Sequence, residues 1–187
     1  MAYNLKDVFY LDTQATVTAA TGGGGSAQLD LSAYIDPIAR GRTKGTGLAV
    51  YKVHMGVFDD AHSEPVNAAE AGVMSMGMVA GLGAGDQATG DIAIAANALT
   101  ADNQLVVASY QFYSPAAGGA AGNAYKKATI IEPSKDVPYV IVRDNVCLLY
   151  SVQDNFTGGQ IISVRLEVAQ ISLDQATLNQ LLRTQTV

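Results

Sequence analysis

The sequence predicts an all-β domain, an antiparallel β-sandwich, closed by one short helix near its carboxy-terminal end. Three observations predict it. Short apolar or alternating runs recur along the chain, and clusters of Gly, Pro, Asn and Asp separate them. The apolar period stays at two until about Gln170 and only then lengthens to that of a helix. Strands never alternate with helical patterns, which argues against a parallel α/β sheet.

The 187 residues suit a single domain, 1–187, that needs no disulfide or metal to close a core. The one cysteine, Cys147, sits in the apolar run Val146-Cys147-Leu148-Leu149 and reads as a small buried hydrophobe. Only 15% of the residues are charged, against a usual value of about 25%. Such a surface suits a protein whose exterior meets other protein. The net charge of −6 argues against a dedicated nucleic-acid binder, which needs a basic stripe to displace counterions from phosphates. Met1 to Asp7 shows no basic segment leading into an apolar one, so no signal peptide is expected. The most apolar stretch, Gly81 to Ala101, is interrupted by Asp86 and Asp91, so no transmembrane segment is expected.

The elements follow in order. Val8 to Leu11 and Thr16 to Thr18 read as strands interrupted at Asp12-Thr13. Thr21 to Ser26, with its four glycines, reads as a flexible loop of linker-like composition. Gln28 to Leu31 returns as a short strand. Leu48 to Phe58 is a strong one, with Tyr51, Val53, Met55 and Val57 on one face and Lys52 and His54 on the other. Gly72 to Ala80 aims Met74, Met76 and Met78 at a core. Gly81 to Gly90 is a glycine-rich connection, Asp91 to Ala96 a weak strand, and Gln104 to Tyr113 a strong one. Ala116 to Ala124 is a second Gly/Ala loop.

Pro138 to Val142 and Val146 to Val152 flank Arg143-Asp144-Asn145, which has the composition of a hairpin turn. After a turn at Asp154 to Gly159, Gln160 to Gln170 is the longest predicted strand. Its Ile162, Val164, Leu166 and Val168 face inward, and Ser163, Arg165 and Glu167 outward. Ser172-Leu173-Asp174-Gln175 then reads as a capping box with Ser172 as the cap. Leu173, Ala176, Leu178, Leu181 and Leu182 form the apolar face of a helix ending near Arg183. About eight strands without an internal repeat suit a single jelly roll, the sandwich of two Greek keys.

The motifs that carry chemistry find structural explanations. Gly81-Leu82-Gly83-Ala84-Gly85-Asp86 lacks the spacing and the following helix of a dinucleotide loop. Gly41 to Thr46 has the wrong order for a phosphate-binding loop. Asp59-Asp60-Ala61-His62-Ser63-Glu64 matches no calcium-loop spacing, and His54 has no Cys or His beside it for zinc. No nucleophile motif is present. Arg40, Arg42 and Lys44 form the one basic cluster, suited first to solvent, then to an acidic patch on a neighbouring subunit, and last to a polyanion such as nucleic acid or an anionic lipid surface. Asn155-Phe156-Thr157 is a glycosylation sequon at a loop tip. The chain is therefore expected to hold no catalytic, cofactor-binding or metal site, to need no cofactor, and not to be an enzyme.

Val140-Ile141-Val142-Arg143-Asp144-Asn145-Val146-Cys147-Leu148-Leu149, Val164-Arg165-Leu166-Glu167-Val168 and Ser172-Leu173-Asp174-Gln175-Ala176 carry a resemblance. Together they resemble the closing hairpin, final strand and tail helix of small viral coat proteins. The plan is similar to single jelly-roll major capsid proteins of icosahedral, internal-membrane viruses, the sphaerolipovirus-like group. The resemblance implies a virion protein that self-associates into capsomers of an icosahedral shell, with a second coat protein and a possible contact with the internal membrane or minor proteins. Two other readings remain open on the residues: a capsid cement, spike or other accessory β domain, and a carbohydrate-binding β-sandwich module. The last would need exposed aromatics, and the chain has no Trp.

Overall fold

Alternation gives each strand one dry face, and two sheets must meet to keep those faces from water. The computed structural model describes residues 8–17, 24–36, 44–59, 72–81, 99–114, 126–153 and 159–185. Its strands are β1 (Phe9–Val17), β2 (Gly24–Asp30), β3 (Lys44–Asp59), β4 (Gly72–Ala80) and β5 (Val106–Ser114). They continue as β6 (Lys126–Ile131), β7 (Tyr139–Ile141), β8 (Asn145–Gln153) and β9 (Gln160–Asp174), followed by helix α1 (Gln175–Thr184). One sheet has the order β1-β9-β3-β7, the other β2-β8-β4-β5-β6.

The connectivity is that of a rolled hairpin. β1 pairs with β9, β2 with β8, β3 with β7 and β4 with β5, all antiparallel. Winding this nested ladder into two layers gives a jelly roll, stitched by the β3·β9 and β4·β8 pairs. Between the layers lie Leu11 and Val17, Val53 and Met55, Val164 and Leu166 from one sheet. Met74, Met76 and Met78, each 0% exposed, meet them from the other, as their spacing predicts.

Several expectations are corrected. β1 runs unbroken through Asp12-Thr13, because Asp12 faces outward and opposes Arg165 in the ladder. The glycine loop is partly strand: Gly24, Gly25 and Ser26 pair with Ser151, Tyr150 and Leu149. Gly25 is required there, since the Tyr150 ring fills the space of its missing Cβ and donates its hydroxyl to the Thr16 carbonyl at 3.2 Å. Arg143-Asp144-Asn145 is not a hairpin turn. It carries the chain from β7 in one sheet to β8 in the other, and the Asp144 carbonyl accepts from the Leu31 amide at 2.7 Å. β6 went unpredicted because its residues are mostly exposed and lack alternation.

Two further corrections concern the ends of the central strands. A β-bulge between Val50 and Lys52 turns Tyr51 to the face opposite Val53, Met55 and Val57. Ser172 remains in β9, opposite Thr46, so it caps nothing. The cap is Asp174, whose carboxylate accepts from the Thr177 amide at 2.8 Å. The weak strand at 91–96, most of the loop at 81–90, the loop at 116–124, and most of the turn at 154–159 lie outside the described residues.

Unpaired strand edges are closed by side chains. β7 covers only Leu48 to Val50 of β3, and beyond the bulge β3 has no strand neighbour on that side among the described residues. Tyr110, on the opposite sheet, donates its buried hydroxyl to the Val53 carbonyl at 2.9 Å. Lys127 donates to the Met55 carbonyl at 2.9 Å and lies 4.6 Å from the centre of the Tyr110 ring. On β7, the Gln185 carboxamide accepts from the Val142 amide at 3.1 Å and donates to the Val140 carbonyl at 2.6 Å, as a neighbouring strand would.

Tyr110→Phe keeps the ring but orphans the buried Val53 carbonyl. Chemical denaturation is expected to show a loss of about 1–3 kcal/mol. Asp174→Ala should lower the thermal midpoint more than Ser172→Ala, reversing the ranking the sequence suggests; a melting curve for each variant checks it.

Candidate functional site

Odd-numbered residues of β9 face outward along the whole strand, and their chemistry changes midway. Leu173, Ile171 and Ala169 are buried with Ala49, Tyr51 and Leu178, under helix α1. The helix comes close because Gly45 of β3 offers no Cβ; one there would lie 2.9 Å from Leu178. Beyond the bulge the outward residues turn polar and no element covers them among the described residues. There lies an open trough of about 1020 Å³.

Three rows of side chains cross the trough region from β1 through β9 to β3. Tyr10 opposes Glu167, which opposes Lys52. Asp12, Arg165 and His54 form the next row, then Gln14, Ser163 and Gly56. His54 reaches diagonally to Glu167, its Nε2 2.8 Å from the carboxylate. The Arg165 guanidinium lies 5.7 Å from the centre of the Tyr10 ring, near the limit of a cation–π contact. A Cβ on Gly56 would lie 2.8 Å from the Phe58 ring, so the glycine lets that ring lean inward. Tyr10 remains 58% exposed and Phe58 37%.

The hydrogen bond from His54 holds the Glu167 carboxyl below its ordinary value of 4.5, helped by the charges of His54, Lys52 and Lys135. His54 thus orients the Glu167 carboxylate at the wall of the trough. Among the described residues no three His, Cys, Asp or Glu side chains gather as metal ligands. No described helix is long and apolar enough to cross a membrane.

The sequence-stated candidates scatter. Cys147 is buried. Lys44 is exposed at the start of β3, near Asp174, while Arg40 and Arg42 lie outside the described residues. Asp59 ends β3; residues 60–64, 82–86 and the sequon at 155–157 also lie outside them. The trough itself was missed. Its outward residues on β3 and β9 were legible, but nothing in the sequence showed that β1 supplies one member of each row.

No family model matches the sequence, and comparison with curated proteins gives no match. Solved structures similar to the chain include VP1 of Trichodysplasia spinulosa-associated polyomavirus with GM1 oligosaccharide. That likeness has a TM-score of 0.40 and 8% identity, over 93% of this chain and 99% of that one. VP1 of Merkel cell polyomavirus with disialyllactose gives 0.41 and 6%, over 91% and 99%. Empty-head turnip yellow mosaic virus gives 0.31 and 13%, over 90% and 82%. The fold is an antiparallel jelly-roll sandwich with one short helix, and these similar structures come from viruses.

Because the Glu167 carboxyl is held down in the fold, it contributes stability above about pH 4.5 that is lost as pH falls through its folded value. An NMR titration should place its midpoint below 4.5 and show it rising in His54→Ala. The same variant should lose less stability on acidification than the parent.

Proposed function

We propose that the chain is a viral coat subunit, a single jelly roll that self-associates into capsomers of an icosahedral shell. The observation that carries this reading is the surface of the roll. Large apolar side chains stand exposed on or beside its edge strands: Val8 just before β1, Ile130 on β6, and Val137, 74% exposed, just before β7. With charged residues at only 15% of the chain, little repulsion opposes contact between copies. Assembly then arises from many repeated weak contacts.

The resemblance of the segment from Val140 to Ala176 supports the finer reading. On that reading the shell includes a second coat protein and encloses a membrane, and the protein resides in the virion. The single domain holds no catalytic or cofactor site; its work is structural.

Light scattering and electron microscopy of the purified full chain should show multi-subunit assemblies. Ile130→Lys with Val137→Lys should shift them toward monomer without changing the melting curve, since both side chains are exposed. A parent protein that stays strictly monomeric and is never found in particles would overturn the reading. In particles, mass-spectrometric copy number separates a shell subunit from a decoration.

A further inference from the structure

We propose that the trough on the uncovered half of the four-stranded sheet is a saccharide-binding site, holding a neutral sugar chain between Tyr10 and Phe58. This goes beyond the coat-protein reading and does not depend on it.

A sugar ring presents an apolar C–H face and a rim of hydroxyls. It is recognised by an exposed aromatic plane together with planar polar side chains that accept or donate in pairs. Both are present. Tyr10 and Phe58 are the two large exposed rings that line the trough. Arg165 lies against the Tyr10 ring. Between the rings, Asp12, Gln14, Arg165 and Glu167 supply carboxylate, carboxamide and guanidinium groups, each able to meet two adjacent hydroxyls.

The floor suits the same ligand. Gly56 and Ser163 are opposed in the β3·β9 ladder, and the Phe58 ring leans over Gly56, so at this end the aromatic plane itself lies close to the sheet. The three rows are fixed by continuous antiparallel pairing, and the Glu167 carboxylate is oriented by His54 at 2.8 Å. Such a face changes little on binding and loses little entropy.

Other ligands fit less well. A compact apolar molecule would find walls that are largely charged or amidic. A polyanion would meet the Asp12 and Glu167 carboxylates, which Arg165 and Lys52 of the same rows only balance. That balance is also why the sugar is neutral. The chain has no Trp, but Tyr10 on β1 and Phe58 on β3 supply the exposed aromatic planes.

The test is saturation-transfer NMR and competitive titration of the full chain with maltotriose, cellotriose, chitotriose, mannotriose and 3′-sialyllactose. At least one neutral trisaccharide should bind, with Tyr10→Ala and Gly56→Val each weakening it by about tenfold or more. Gln14→Ala, at an exposed position, gives a third variant if Gly56→Val disturbs the sheet; Val137→Ala, outside the trough, should leave binding intact. Melting curves confirm that each variant is folded. Binding of none of the five, binding of 3′-sialyllactose alone, or binding unchanged in Tyr10→Ala would each overturn the proposal. So would self-association lost in Tyr10→Ala without any sugar binding, which would assign the trough to a second copy.

Discussion

β3 and β9 lie side by side through the middle of one sheet, paired from Lys44·Asp174 to Asp59·Gln160. The other elements are placed by this ladder. β1 adds to the far side of β9, β7 to the near end of β3, and α1 continues from the end of β9 and folds onto the face it has just left. The bulge at Tyr51 divides that face. Before it, Ala49 and Tyr51 join the apolar cluster under the helix; after it, Lys52, His54, Gly56 and Phe58 point to solvent. One extra residue thus separates a packed half from an open half.

A sandwich built this way leaves edges that no strand completes among the described residues. Tyr110 and Lys127 reach across from the second sheet to carbonyls of β3, and Gln185 pairs with β7 through its side-chain amide. Burial pushes the Tyr110 hydroxyl far above its ordinary range, with Glu132 adding to the rise, so it stays a donor at any ordinary pH. Tyr139, pushed by burial up to about 12, likewise keeps its bond to the Gln104 carbonyl at 2.9 Å. These contacts satisfy backbone groups that would otherwise be stranded. They join residues far apart in the chain, and they hold the layers together at points where pairing ends.

The apolar period exposed most of the architecture because a half-buried strand has to alternate. Met74, Met76 and Met78 and the inward residues of β9 were legible for that reason. The errors have equally local causes. A bulge resets parity at Tyr51 without any signature that spacing can reveal. Ser172 and Asp174 both suit a cap, and only the length of β3, which pairs with β9 as far as Asp174, decides between them. Gly24 and Gly25 look like linker, yet Gly25 is a strand position that Tyr150 needs empty. β6, an exposed edge strand, need not alternate at all.

The sequence by itself determined the class of fold, the inward faces and the closing helix, since these follow from periodicity and from the chemistry of single residues. It also marked Ser163, Arg165, Glu167 and His54 as outward. The tertiary structure decided which strands are neighbours, and with that the rolled order, the capped edges and the trough. Tyr10 and Phe58 are 48 residues apart in the chain. They share a surface because β9 lies between β1 and β3, a pairing fixed by the packing of two whole sheets and not by any local preference.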